Sequence, residues 1–121
     1  MKTDNQQFGA KGEELAEKYL KEHNYSILET NWRSKHLEVD IIAENEHFIV
    51  FCEVKARSSI KMGSPESFVT FQKQCNLIKA AHHYVVSKNI GKEVRFDIIS
   101  VVAKGTSCEI EHITDAFAPK W

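Results

Sequence analysis

The hydrophobic and polar pattern predicts that the chain begins with an amphipathic helix. From Asp4 to His23, apolar residues such as Leu15 and Leu20 recur at the three- and four-residue spacing of one helix face. Glu13 falls at the edge of this face, where a carboxylate needs a partner, and a nearby lysine or arginine is the usual one. Gly12 lies on the same side and would permit close approach of another element.

Three strand patterns follow the helix. The segment from Tyr25 to Arg33 alternates apolar and polar residues, and Asn31 to His36 forms a polar connection around Trp32. Trp32 is either a stacking platform for a nucleobase or a residue that closes the edge of the core. The next two strands, Glu38–Ala43 and Phe48–Lys55, form a hairpin around a short polar turn.

The hairpin brings two carboxylates together. Side chains alternate across a strand, which predicts the pairs Asp40 with Glu53, Glu38 with Lys55, and Ile42 with Phe51. At about 5 Å and an effective dielectric of about 20, repulsion between the two carboxylates is roughly 3 kcal/mol. A divalent cation such as Mg²⁺ or Mn²⁺ would reverse this cost, since these ions prefer oxygen ligands. Alternatively, one carboxylate points to solvent and pairs with Lys55. Periodicity alone leaves both interpretations open.

The second half of the chain predicts a crossover and two more strands. After a basic loop from Ala56 to Gly63, Ser64 and Pro65 begin a helical pattern that runs to about Ser87 with a break near Thr70. Its predicted stripe is Phe71, Cys75, Ile78, His82 and Val85, widened by Leu77, Ala80, Ala81 and Tyr84. The last strands are Val94–Val102 and Glu109–Ile113, and Asp97 on the first of them is partly buried and needs a partner. The order α-β-β-β-α-β-β predicts one α/β domain over residues 1–121, with a mixed sheet flanked by helices.

Composition narrows the classes of function. The chain has 121 residues, is 42% hydrophobic and 27% charged, and carries a net charge of −1, which argues against nonspecific coating of nucleic acid. The three cysteines lack Cys-x-x-Cys spacing and favour a reducing cytoplasm. We expect no membrane span, because the longest apolar run is far too short.

Several motifs together resemble a known family. Asp40 followed by Glu53-Val54-Lys55 resembles the D…(D/E)-x-K signature of restriction-endonuclease-like nucleases. The wider set comprises Gly12-Glu13, Asn31-x-Arg33, Glu38-Val39-Asp40, Phe51 to Arg57, Lys73, Arg95-Phe96-Asp97 and Ala116-Phe117. In this order they resemble the small bacterial YraN-type family, which is similar in fold to archaeal Holliday junction resolvases. Leu37 stands where that family usually has glycine.

The resemblance implies a metal-dependent DNA endonuclease that hydrolyses phosphodiester bonds, with branched DNA as a candidate substrate and a homodimer as a candidate assembly. It implies Glu13, Asp40 and Glu53 as ligands of Mg²⁺ or Mn²⁺, together with the Val54 backbone carbonyl, and Lys55 as the catalytic lysine. The candidate phosphate-binding residues are Arg33, Arg57, Lys61 and Lys73.

Two other hypotheses remain. The chain could be a nucleic-acid-binding or partner-binding module that retains the nuclease fold without catalysis. It could also be a structural protein in which Asp40, Glu53 and Lys55 form only a salt-bridge cluster. Metal-dependent DNA cleavage and metal-dependent stabilisation would separate these hypotheses from the first one.

Overall fold

A computed structural model of the chain, which describes residues 4–57 and 69–118, has a five-stranded sheet with helices packed against it. The elements are α1 (Asp4–Glu22), β1 (Ser26–Ser34), β2 (Leu37–Glu44), β3 (Phe48–Arg57), α2 (Phe71–Lys88), β4 (Glu93–Lys104) and β5 (Ser107–Phe117). The predicted α/β class and the order α-β-β-β-α-β-β are therefore confirmed.

The sheet is mixed, as predicted. Its strands lie in the order β1-β2-β3-β4-β5. The β3–β4 pair is parallel and the other three pairs are antiparallel. A parallel pair needs a crossover connection, which contains α2. One core cluster includes Ala16 and Leu20 of α1, and the other includes Leu77 and Tyr84 of α2. The two helices thus cover different faces of the sheet.

Gly12 lets α1 approach the sheet closely, as its position in the sequence predicts. A Cβ atom added to Gly12 would lie 2.7 Å from the Cβ of Ala56 on β3. Any larger residue would push the helix away from the strand, because this separation is far below van der Waals contact. The close approach fixes the position of the next residue, Glu13, relative to the sheet.

The helix α2 begins later than its first sequence signal. Thr70 is extended (φ −65°, ψ 161°), and its side chain accepts a hydrogen bond from the Lys73 amide, as an N-cap residue does. The predicted break near Thr70 is thus the observed start, while the signal at residues 64–66 lies outside the described residues. The predicted stripe is wrong at Phe71, which is 71% exposed. The fully buried residues of α2 are Leu77, Ala80, Ala81 and Tyr84.

Asp97 is fully buried and has the partners that its position requires. Its carboxylate accepts two hydrogen bonds from Arg95, at 2.8 and 2.9 Å, and one from the Asp115 amide at 3.0 Å. His112 Nε2 lies 2.6 Å from the same carboxylate. Although burial raises the pKa of Asp97, the bonds from His112 and Arg95 outweigh it and hold this pKa below its usual value. The network ties β4 to β5.

The strands are longer than predicted. β1 continues to Ser34, so Trp32 belongs to a strand and packs edge-on against Tyr84 at 5.3 Å, as a core-edge residue. β3 continues to Arg57, and β5 extends well beyond the predicted Ile113. Within the described part of the chain, no helix is both long and apolar enough to cross a membrane.

Candidate functional site

The site forms where β2 and β3 stop pairing, a place we call the β2–β3 fork. Among the described residues, the ladder between these strands ends at the Ile41–Cys52 pair, and Ile42 pairs with Phe51 as predicted. One step further, Asp40 Oδ2 accepts a hydrogen bond of 2.9 Å from the Val54 amide. The Asp40 side chain thus bonds to β3 just beyond the last pair of the ladder.

The alternation of β2 breaks at the same residue. Val39 packs in the core cluster on the α2 side, whereas Ile41 packs in the cluster on the α1 side, although regular alternation would give them one face. On β1, Asn31 lies between the partners of these two residues and has a left-handed φ of 50°. Asparagine tolerates this conformation better than most residues. Regular alternation, on which the predicted common face of Asp40 and Ile42 rested, is therefore interrupted between Val39 and Ile41.

Glu53 is the buried acid of the fork. Its side chain is only 4% exposed, whereas the chain offers many exposed positions for a carboxylate. Burial raises the pKa of Glu53, Asp40 raises it further, and Lys73 and Lys55 lower it; the result is about 7. The pKa of Asp40 is also raised, first by burial, even though the Val54 amide bond acts in the opposite direction. The charge of Asp40 therefore disfavours the ionised form of Glu53, whereas a hydrogen bond with Glu53 acts to lower the pKa of Asp40.

Glu13 approaches Asp40 from α1. Burial and the charge of Asp40 raise the pKa of Glu13, while a hydrogen bond with Asn31 lowers it. The partner found for Glu13 is thus an amide on β1, where the sequence favoured a lysine or arginine. The structure brings Glu13 near Asp40, on the opposite side of the sheet from α2.

Two lysines lie beside Glu53. Lys55 Nζ is 3.9 Å from Glu53 Oε1, and Lys73 Nζ is 2.7 Å from the same oxygen. Burial acts to lower the pKa of Lys73, but the hydrogen bond and charge of Glu53 raise it above its usual value. Lys73 was predicted to bind a DNA phosphate, and in this structure its ammonium is bound by the acid at the centre of the site.

The other predicted phosphate-binding residues are more scattered. Arg57 Nη2 donates a hydrogen bond of 3.1 Å to Ser100 Oγ on β4. Arg33 is largely exposed on β1 and lies 3.5 Å from Glu38 on the facing strand. Lys61 lies outside the described residues. The structure therefore brings Lys55 and Lys73 to Glu53 and places Arg33 on an exposed edge strand.

The metal ligands that the resemblance implies stay a prediction. Across residues 4–57 and 69–118, no three His, Cys, Asp or Glu side chains form a group that could hold a metal ion. Asp40 and Glu53 nevertheless interact directly. Mg²⁺ is commonly bound by one or two carboxylates and completes its shell with water and substrate phosphate. The donor set at the fork fits that mode of binding better than it fits an all-protein cage.

Sequence reasoning missed two contacts of the site. Asn31 was noted only as part of a motif, yet it supports Glu13 and turns β1 at the fork. An asparagine inside a strand pattern is a signal for left-handed backbone. The partner of Lys73 was also missed, because only the tertiary fold brings the Lys73 side chain to Glu53 on β3.

Comparison with known proteins identifies the family. The sequence model of the uncharacterised protein family UPF0102 matches residues 12–101. UPF0102 protein FP2501 of Flavobacterium psychrophilum is 46% identical over 115 residues, which cover 95% of this chain and 97% of the relative. A UPF0102 protein of Bacteroides thetaiotaomicron is 40% identical over 117 residues, covering 97% of each chain. On this similarity, the chain belongs to the uncharacterised protein family UPF0102, the YraN family whose motifs it resembles.

Proposed function

We propose that the protein is a metal-dependent DNA endonuclease that hydrolyses phosphodiester bonds at the β2–β3 fork. The observation that carries the proposal is the contact between Asp40 and Glu53. Their pKa values are both raised, and lysines stand beside Glu53. A fold tolerates such repulsion between partly buried acids most readily when function requires it. The D…E-x-K resemblance points to the same chemistry.

Asp40 and Glu53 would hold Mg²⁺ or Mn²⁺, with the Val54 carbonyl as a further donor and Glu13 close to Asp40. A bound divalent ion supplies a water of lowered pKa and a ligand for a phosphate oxygen. Lys55 lies on the same strand as Glu53 and would orient the attacking water or stabilise the negative charge that develops on the phosphate. Lys73, Arg57, Lys61 and Arg33 would hold the DNA backbone.

Branched DNA is the proposed substrate class, and the support for it is the resemblance to Holliday junction resolvases. An enzyme that cuts a four-way junction symmetrically needs two active sites, which a two-fold dimer would supply. The proposal places the protein in the cytoplasm, where its three free cysteines would stay reduced.

A cleavage panel tests the proposal. Labelled four-way junction, flap and linear duplex are incubated with Mg²⁺ or Mn²⁺ and with wild-type protein, Asp40→Asn or Lys55→Ala. We expect metal-dependent cleavage of the branched substrates, with a loss of roughly 10²–10³-fold in Lys55→Ala, as for other groups that stabilise transition-state charge. Glu46→Gln changes an exposed turn residue of the same hairpin and should cleave like the wild type.

Two results would contradict the endonuclease. Cleavage that persists unchanged in Asp40→Asn and Lys55→Ala would come from a contaminant or another site. Tight, salt-sensitive DNA binding without cleavage of any substrate would favour the non-catalytic binding module.

A further inference from the structure

Lys73 occupies an unusual position for a residue that binds DNA. It lies in the first turn of α2, where the Thr70 cap fixes the start of the helix, and its side chain reaches across to β3. Its Nζ lies 2.7 Å from Glu53 Oε1, closer than Lys55 Nζ at 3.9 Å. A cation from a separate element thus already neutralises the acid on which the proposed metal site depends.

Lys73 and a metal ion would compete for the same oxygen. A Mg²⁺–oxygen bond is ~2.0–2.1 Å long. A metal ion on Glu53 Oε1 would therefore lie less than about 5 Å from Lys73 Nζ in its observed position. Two cations at that separation in a partly buried site repel each other strongly. Lys73 also interacts with the charges of Asp40 and Glu38, so its ammonium faces the whole acidic group.

The surroundings of Lys73 leave room for its ammonium to move. Its side chain is 44% exposed, whereas that of Glu53 is 4% exposed. Lys73 also lines a cavity of about 280 Å³ between the β1–β2 turn and the start of α2. The other lining residues are His36, Glu38, Thr70, Gln72, Asn76 and Leu77. A flexible lysine stem can turn from Glu53 into this space without any change in the backbone.

We propose that Lys73 is an exchangeable counter-cation of the fork: its ammonium binds Glu53 in the metal-free protein, leaves when a divalent metal binds, and then contacts a DNA phosphate. This inference rests on the proposed endonuclease function and adds an order of binding to it. Metal binding releases the lysine, and the released lysine strengthens DNA binding. Lys73 thus lowers the affinity for free metal and couples metal binding to DNA binding.

The first test measures metal affinity without DNA. Mn²⁺ is titrated calorimetrically into the wild type, Lys73→Met and Lys73→Arg at pH 8, above the pKa of about 7 of Glu53. We expect Lys73→Met to bind Mn²⁺ about tenfold more tightly, which equals ~1.4 kcal/mol, because the competing cation is gone. Lys73→Arg retains a competing cation and should bind like the wild type. Lys79→Met, which removes an exposed lysine of the same helix, should leave the affinity unchanged.

The second test measures the coupling to DNA. Affinity for a four-way junction is measured against salt concentration, with EDTA or with Ca²⁺. Each phosphate contact by a lysine adds roughly one unit to the salt slope. In Ca²⁺, we expect the salt slope of Lys73→Met to be about one unit less steep than that of the wild type. In EDTA, the two slopes should be equal, because Lys73 of the wild type is then bound to Glu53.

The outcomes separate the two proposals. The proposed exchange of Lys73 is wrong if folded Lys73→Met binds Mn²⁺ no more tightly than the wild type. It is also wrong if the salt slope of Lys73→Met in Ca²⁺ equals that of the wild type. The endonuclease would survive either result. If the wild type binds neither Mn²⁺ nor the junction, the endonuclease itself fails.

Discussion

Replacing Glu53 with glutamine should stabilise the metal-free protein at pH 8, although it removes a group that the proposed reaction requires. The pKa of Glu53 is about 7 in the folded chain and near 4.5 when it is unfolded. Between these values the folded state binds more protons than the unfolded state, so stability falls as the pH rises. Below pH 4.5 both states are protonated and this destabilisation is absent. Above pH 7 Glu53 is ionised in both the folded and the unfolded state, and the destabilisation has reached its full size.

The size of the effect follows from the same shift. Raising a pKa from 4.5 to about 7 corresponds to about 3 kcal/mol, at ~1.36 kcal/mol for each unit. This is a large part of a typical unfolding free energy of ~5–15 kcal/mol. Glutamine has nearly the same shape and carries no charge. It should therefore relieve most of this energy while filling the same space.

Urea unfolding in EDTA measures the difference. The wild type, Glu53→Gln and the control Glu46→Gln are compared at pH 4.5 and pH 8; the Glu46 side chain is 88% exposed. We expect Glu53→Gln to exceed the wild type by up to about 3 kcal/mol at pH 8, with a gap that shrinks towards zero at pH 4.5. Glu46→Gln should follow the wild type at both pH values.

If Glu53→Gln unfolds at a lower urea concentration than the wild type at pH 8, the predicted destabilisation by Glu53 is wrong. Glu53 would then be a net stabilising partner of Lys73 and Lys55, as the structural-protein hypothesis requires. Mg²⁺ provides a second check on the same variants. It should stabilise the wild type by ~2.7 kcal/mol at a hundredfold excess over Kd, and leave Glu53→Gln nearly unchanged.

Two further substitutions test the packing of α1 on β3 and the network that ties β4 to β5. Gly12→Ala should lower the unfolding free energy by about 1–3 kcal/mol, because its Cβ would collide with Ala56, whereas Gly91→Ala meets no atom within 4 Å and should be nearly neutral in urea unfolding. Asp97→Asn should cost about 3–5 kcal/mol, because it leaves Arg95 as a buried charge without its counter-ion. Since the pKa of Asp97 is lowered, its contribution to wild-type stability should be present above its unfolded pKa and vanish as the pH falls through the folded value. Equal acid sensitivity of the wild type and Asp97→Asn would contradict this.

Much of the architecture follows from local patterns. The amphipathic spacing located α1, and the hairpin register was correct where Ile42 pairs with Phe51. That register was enough to bring Asp40 close to Glu53. The burial of Asp97 was also correctly predicted, because it shares a strand face with Ile99.

Other features depend on contacts that periodicity does not contain. The break in the alternation of β2 lies opposite Asn31, whose left-handed backbone on the neighbouring strand a periodic pattern does not show. Periodicity placed Phe71 in the stripe of α2, but this residue stands at the first position of the helix and is 71% exposed. The pairing of Lys73 with Glu53 joins β3 to the helix of the crossover that follows it, so sequence spacing could not reveal it.

The parallel pairing of β3 with β4 has a consequence for synthesis of the chain. Glu13, Asp40 and Glu53 all precede α2, so the ribosome makes every acid of the fork before it makes Lys73. The hairpin of β2 and β3 can form from local contacts, whereas the β3–β4 pair must wait for the whole crossover. Until α2 is made, the nascent chain carries these carboxylates without their lysine from that helix. Lys73 is made next, ahead of β4 and β5, so the fork has all its acids and its lysine from α2 before the strands that complete the sheet exist.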